Sequence, residues 1–556
     1  AYSGAPPTRY SSPSYRTFYT ANASRTKAVF IGANDGMLHA FNADTMDELF
    51  AYIPSWMGPR LSQLAGATYN SSGHASYVDA PPVVAEAQLG DDWKTVLVSG
   101  TGGGGQGVFA LDVTNPSRFA ADKVLWEFTD QNDPDLGNVV GQPRIVKLRT
   151  SAPTAKTPTY KWFAAVASGV NNYVNDGTGR YSTTGSPALF LLDLAKPSRD
   201  AWALGTNYFK ISFPISNDLT TGTQELNASG QGTGIGKATG LVNFDFTANQ
   251  ADAVEFFYLG DLHGQFWKLD MSKADLSSST ATSWNLSKVS PYLNSSGAAI
   301  PMYIAKDSGG KVQPITMVPS IAFGPTGTYL LAFGTGKYLE ARDNSISTST
   351  QTQSFYVLYD TGNVISDDTK PDTGGLARFN GRARLQQGSI NSSNAISVST
   401  FYWNRPRESN DSNKKAGWFI DFPRSGSSGG ERQVTSAALF GQSILFTSLL
   451  PPSASTDACG GGSSYFYQAN LATGLGSVSQ LSSGAQGAPS IFNLPATLSN
   501  SDSPGSRTQT ETAVAFRPAA TSNEGGTVTN LAPSDRTVGR LSWRQINNYR
   551  ELKNAN

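Results

Sequence analysis

The sequence holds a single cysteine, Cys459, among 556 residues. No internal disulfide can form, so the fold rests on none. Histidine is nearly as scarce, with His39, His74 and His263 far apart in the chain. Neither a Cys/His nucleophile nor a histidine-based metal centre has the residues it needs. Charged side chains make up 15% of the chain, 42 basic and 42 acidic, against about 25% in an ordinary soluble domain. That balance lacks the basic stripe of a nucleic-acid binder. No apolar run approaches the roughly 18 residues of a membrane-spanning helix. The chain opens on Ala1 without the charged start and apolar core of a secretory leader, so a fragment or a mature product is expected. Plentiful instead are glycine (56), proline (30) and aromatic residues (11%), the composition of an all-β chain with many turns.

One phrase recurs. Residues 28–45 read AVFIGANDGMLHAFNADT, 95–114 read TVLVSGTGGGGQGVFALDVT and 256–271 read FFYLGDLHGQFWKLDM. Each is an apolar run, a Gly/Asp/Asn turn, an apolar-aromatic run, then Asp or Asn and a polar exit. Looser copies pair Phe163–Tyr173 with Ala188–Leu194, Tyr329–Leu339 with Ser354–Gly362, and Ser443–Leu450 with Tyr465–Gly474. The phrase is a β-hairpin, and a hairpin cannot bury its own apolar face, so the copies must stack on one another. A second element is a short apolar strand entered by proline: DAPPVVAEA (79–87), GQPRIVKL (141–148), QPITMVPSIAF (313–323) and GAPSIF (487–492). Proline at a strand's entry removes no ladder hydrogen bond. One such strand, one hairpin and an outer strand such as VLWEF (124–128) make four strands, and four-stranded sheets repeated around an axis make a β-propeller. Separate β-sandwiches are the rival arrangement, but the phrase runs from Val29 to Gly474 with no Pro/Ser-rich linker between copies.

The expected fold is therefore all-β, a modified β-propeller of about seven blades with long loop insertions. An N-terminal lead-in is expected over 1–27, the propeller over 28–510 and a closing segment over 511–556. The tail Gly539–Lys553 has the spacing and charge of a short helix or a closing strand. Three polar insertions, 172–185, 344–353 and 408–430, are the expected recognition loops.

Few motifs carry chemistry. Asn34-Asp35-Gly36 is a tight hairpin turn before it is a metal ligand. The run Gly102–Gly105 lacks the Lys-Ser/Thr and helix of a phosphate-binding loop, and Gly334-Thr335-Gly336-Lys337 continues into strand-like Tyr-Leu. A calcium loop needs oxygen side chains at alternating positions, a sharp bend and a closing carboxylate. Three segments approach this: Asn243–Glu255 with Asp245, Asn249, Asp252 and Glu255; Gly169–Arg180 with Asn171, Asn175 and Asp176; and Thr129–Asn138 with Asp130, Asp133 and Asp135. None has the full alternation.

The same residues resemble known proteins. GANDGMLHAFNADT is similar to the repeat of quinoprotein-type propellers. A longer set resembles the PilC/PilY family, the type IV pilus tip-associated adhesins. It comprises SYVDAPPVVAEA, WKTVLVSGTGGGGQGVFALDVTNP, VLWEFTD and DLGNVVGQPRIV, then ASGVNNY, ALFLLDL, YLGDLHGQFWKLDM, FGTGKYLE and GRLSWRQI, in order from Val29 to Ile546. The part matched is that family's C-terminal propeller, without its large variable N-terminal half. The resemblance implies an extracellular protein at the pilus tip or outer-membrane surface. It implies support of pilus assembly against retraction, adhesion and twitching motility, through contacts with major and minor pilins and a host or abiotic surface receptor, with no chemical turnover.

For some relatives the resemblance also implies an EF-hand-like calcium loop, Asp-x-Asn-x-Asp-x-x-x-Asp, just before the GDLHGQFW hairpin. At its four positions this chain has Thr247, Asn249, Ala251 and Glu255. Calcium there would rest on Asp245, Asn249, Asp252 and Glu255 after a shift in register. Quinone-dependent dehydrogenases of the wider superfamily carry an adjacent cysteine pair, which one cysteine cannot supply. No quinone is expected, and Trp267 is read as packing between blades. A quinone-dependent dehydrogenase and a glycan-binding, lectin-like propeller are the alternative readings.

Overall fold

The computed structural model describes residues 1–66, 69, 75–174, 180–215, 239–277, 284–294, 296–324, 328–339, 343, 351–360, 382–403, 414–424, 430–452, 462–481, 486–500, 506–518, 527–531 and 533–539. All six copies of the phrase fold as adjacent antiparallel strands. The Asp or Asn at the end of the phrase has a physical task. Asn42, Asp112, Asp193, Asp270 and Asn470 each end a strand and accept, on a side-chain oxygen, the backbone N–H two residues on, at 2.9–3.1 Å. The side chain offers the backbone a local partner in place of the next ladder bond, so the strand stops and turns there. The proline-entered strands begin directly after Pro82, Pro143, Pro319 and Pro489.

Four sheets follow one another along the chain. The first has strands Tyr2–Ser3, Ala28–Gly32, Leu38–Asn42 and Glu48–Tyr52. The second has Val83–Leu89, Asp92–Gly100, Gly107–Asp112 and Val124–Thr129. The third has Arg144–Arg149, Tyr160–Ala167, Ala188–Asp193 and Tyr208–Ser212. The fourth has five strands, with Gly240–Ala248, Val254–Asp261 and Gln265–Asp270 at its centre. The fifth is an 11-stranded sheet. One flank carries Ser320–Phe323, Tyr329–Gly334, Ser354–Asp360 and Gly417–Asp421; the other carries Ser443–Leu450, Ser463–Asn470 and Gly476–Gln480. They are joined through Gln386–Ile390 and Ala395–Val398 by a parallel pairing of Gln386 and Gln387 with Trp418 and Phe419.

The expectation of about seven blades is thus corrected: the structure is a five-bladed propeller plus a half-barrel sheet that is continuous with the fifth blade. The reason is that parallel junction, which fuses two hairpin units that the sequence presents as separate. A second correction concerns 408–430, where Gly417–Asp421 is a buried strand with Trp418 fully enclosed. Residues 404–413 and 425–429, and all of 344–350, lie outside the described residues. After the fifth sheet come two three-stranded sheets within 490–539. The tail beyond Gly539 and Cys459 lie outside the described residues.

The middle strands of the second, third and fourth sheets are buried on both faces, and the alternation of side chains decides which neighbour each face meets. From the second sheet, Leu97, Phe109 and Leu111 pack on Phe30 and Leu38 of the first. Val96, Val98 and Val108 pack the other way, on Ala164, Val166 and Phe190 of the third. Phe163 and Leu191 of the third meet Phe257 and Trp267 of the fourth, which places Trp267 between sheets as read from the sequence. Phe256 and Phe266 then meet Leu331 and Phe333 of the fifth. Each such Leu, Val or Phe contributes about 1.5–3 kcal/mol by leaving water.

One ion pair is sunk in the fourth seam. Lys268 Nζ lies 2.8 Å from Asp360 Oδ2, with both side chains 3% exposed or less, and Tyr258 donates to the same carboxylate at 2.6 Å. Lys268→Ala is expected to destabilise the chain by about 3–5 kcal/mol, because it strands a buried carboxylate. Lys268→Met combined with Asp360→Asn should recover part of that loss. Urea unfolding of the two variants measures both, and equal stability of Lys268→Ala and the parent would refute the account.

Candidate functional site

The lead-in does not simply enter the propeller; it straps four sheets. The Ala1 backbone nitrogen donates to the Phe30 carbonyl at 2.7 Å, and Tyr2 and Ser3 pair with Val29 and Ala28 of the first sheet. The chain then runs out to Arg9 and returns through the helix Pro13–Asn22, whose first turn is capped by Ser12. Pro13 at the first position suits a helix start, where its missing N–H costs nothing. Tyr10 packs on Trp93 of the second sheet at 4.8 Å between ring centroids and on Trp162 of the third at 5.9 Å. Arg25 closes the return on the second sheet, pairing with Glu86 at 3.2 Å and with the Thr95 hydroxyl. Arg9 reaches the fourth sheet, where its Nη2 lies 2.6 Å from Asp252 Oδ1.

The residues proposed from sequence for calcium lie on the hairpin under that arginine. Asp245 is mid-strand, opposite Tyr258, and accepts the Phe246 N–H at 3.0 Å. Burial pushes its pKa up, against the pull of Arg144. Asn249 opens the turn and has already used its side-chain oxygen on the N–H groups of Ala251 and Ala253, at 2.9 and 3.2 Å. Asp252 closes the turn in the left-handed region, φ 59°, a conformation Asp tolerates. Glu255 is the extra residue at the register shift, between Val254 opposite Ala248 and Phe256 opposite Thr247. The four are strung along the hairpin, and among the described residues no three acidic, histidine or cysteine side chains converge as a metal would need. The donor set does not fit calcium: Ala251 contributes only a carbonyl, that carbonyl accepts from Lys147 Nζ at 2.9 Å, and a guanidinium stands at Asp252.

The other two calcium-like segments meet each other. Lys210 Nζ sits 2.9 Å from Asp133 and 2.8 Å from Asp135, and the Tyr208 hydroxyl donates to Asp133 at 3.1 Å. Ser182 donates to Asp135 at 2.5 Å, while Asn172 donates to the Asp135 and Ser186 carbonyls at 3.1 Å. The insertion 172–185 is therefore docked at its base on the 129–138 loop. Asn175 and Asp176 lie outside the described residues. The Gly102–Gly105 run is a packing device. A Cβ on Gly104 would stand 1.6 Å from the Tyr77 carbonyl oxygen. Asp35 accepts the Met37 N–H at 3.0 Å and pairs with His39 at 2.8 Å, a turn role.

The profile of the PilY1 β-propeller domain matches residues 4–200 and 214–398. The chain belongs to the PilY1 β-propeller family. Among proteins of this family, a type IV pilus biogenesis factor PilY1 homolog from Xylella fastidiosa is 32% identical over 482 residues, covering 86% of this chain and 28% of that protein. The type IV pilus biogenesis factor PilY1 of Pseudomonas aeruginosa is 31% identical over 466 residues, covering 82% of this chain and 35% of that protein. The chain thus spans about a third of the length of these PilY1 relatives. The crystal structure of the P. aeruginosa PilY1 C-terminal domain has the same fold, with a TM-score of 0.61 at 24% identity over 95% of this chain.

Asp245 gives a pH signature. Its folded-state pKa lies above the ordinary 3.8. As pH rises from 3.8 through that raised value, the unfolded chain has lost a proton that the folded chain keeps, so stability falls and the burial cost of the charge is complete above it. Asp245→Asn should flatten this part of the profile. Urea unfolding at a series of pH values tests it, and a variant profile parallel to the parent's contradicts it.

Proposed function

We propose that this chain is the propeller portion of a type IV pilus biogenesis factor, working through protein contacts and without chemical turnover. The observation that carries the proposal is the match of the PilY1 propeller profile through residues 4–200 and 214–398, joined to relatives that bear that name at 31–32% identity. Sheets buried on both faces make a stiff platform, and stiff platforms with variable loops suit recognition. The partners in this reading are major and minor pilins, together with a receptor on a host or abiotic surface. The place of action is the pilus tip or the outer-membrane surface. Among the described residues no helix is long and apolar enough to cross a membrane. The relatives' names favour this reading over a quinone-dependent dehydrogenase or a lectin-like propeller.

Deleting the gene in its native host should remove surface pili and twitching motility. Disabling retraction in the same strain should bring pili back, because the factor is proposed to oppose retraction. Electron microscopy of surface pili and a motility assay read the outcome. Normal pili and normal motility in the single deletion would end the proposal.

A further inference from the structure

The hairpin 245–255 is the place where the family resemblance implies calcium and where this chain's residues do not fit it. We propose that Arg9 supplies the cation there: its guanidinium, carried in by the N-terminal strap, sets the 249–253 turn and ties it to the start of the chain without any metal.

Three observations converge on this. Arg9 Nη2 lies 2.6 Å from Asp252 Oδ1, a contact between residues 243 apart in sequence. Burial works against the Arg9 charge, yet the hydrogen bond and charge pairing with Asp252 outweigh it, and its pKa lies above the usual arginine value. A second cation, the Lys147 ammonium, donates to the Ala251 carbonyl at 2.9 Å and rests 4.6 Å over the Tyr160 ring. Asn249 is the third, since its side-chain oxygen serves two backbone N–H groups of the turn. A calcium loop would instead direct that amide oxygen, the carbonyl and the carboxylate inward at one ion. Here the carbonyl and the carboxylate each meet a nitrogen cation, and the amide closes the turn on its own backbone. The second carboxylate oxygen, Asp252 Oδ2, is buried, in the field of Lys147, and the Tyr10 hydroxyl of the same strap stands against this carboxylate. A metal competing with Arg9 would have to take this carboxylate, so the test is aimed there.

A guanidinium and a calcium ion differ in a way that matters for use. Calcium leaves when its concentration falls, so a calcium-closed loop follows its surroundings. Arg9 is covalently part of the strap and charged at every accessible pH, so the link between the strap and the fourth sheet does not depend on the concentration of any ion.

Amide hydrogen exchange of Ala251, Asp252 and Ala253 reads the turn directly, and calcium titration with metal analysis after dialysis reads the ion. In the parent chain, calcium should leave exchange at the three amides unchanged. Arg9→Gln should speed their exchange by about tenfold, the fold-change of losing roughly 1.4 kcal/mol of local closure. Asp252→Asn should do the same, and the double variant should add nothing further, since both remove one interaction. Arg9→Lys should retain part of the protection. Calcium that protects these amides in the parent, or a stoichiometric ion lost on Asp252→Asn, overturns the proposal, as does exchange indifferent to Arg9→Gln. These readouts are independent of pilus formation, so the assignment stands or falls separately from the proposed function.

Discussion

The constraint on which the structure depends is that the central strands of the second, third and fourth sheets have no solvent face. Gly107–Asp112, Ala188–Asp193 and Gln265–Asp270 bury nearly every side chain, so each of these three sheets is incomplete until a neighbour covers it on both sides. Odd positions of one strand belong to one seam and even positions to the next, and a slip of one residue would exchange the two sets. Register is held at the strand ends. The Asx turns at Asn42, Asp112, Asp193, Asp270 and Asn470 stop the second strand of five of the six hairpins at a fixed residue. Local turn chemistry therefore decides which apolar side chains each seam receives.

Few charges are present, and several of them sit at joints. Lys268 and Asp360 meet between the fourth and fifth sheets. Lys210 of the third holds Asp133 and Asp135 of the loop that follows the second. Arg25 of the strap holds Glu86 of the second. Pairs this deep add little net stability over apolar side chains of equal size, but leaving one partner alone is costly. They penalise a neighbour seated wrongly more than they reward one seated correctly.

The hairpins, the proline-entered strands and the Asp or Asn that closes each phrase could all be read from the sequence, because each is written within about twenty residues by period-two patterning and turn chemistry. What could not be read depends on distant pairing. The fusion into an 11-stranded sheet turns on Gln386 and Gln387 beside Trp418 and Phe419, where QQGSI carries almost no apolar signal. Gly417–Asp421 hid inside a polar stretch because five residues are too few to show a period. At the calcium-like loop the residue types were visible but their commitments were not. Nothing near Asn249 in the sequence says that its oxygen closes a turn, and nothing near Asp252 announces Arg9.

The strap also sets an order of events. Ribosomal synthesis delivers Arg9 long before Asp252, and a contact spanning 243 residues stays unmade until three further sheets have left the exit tunnel. Arg9 thus finds its partner later than Tyr2 and Ser3, which pair with strand 28–32 of the first sheet. Closing so large a loop costs entropy that only assembled sheets can offset. The Arg9 contact fastens only over sheets that have already assembled, so a chain stalled before the fourth sheet holds its strap on the first two sheets and leaves Arg9 without Asp252.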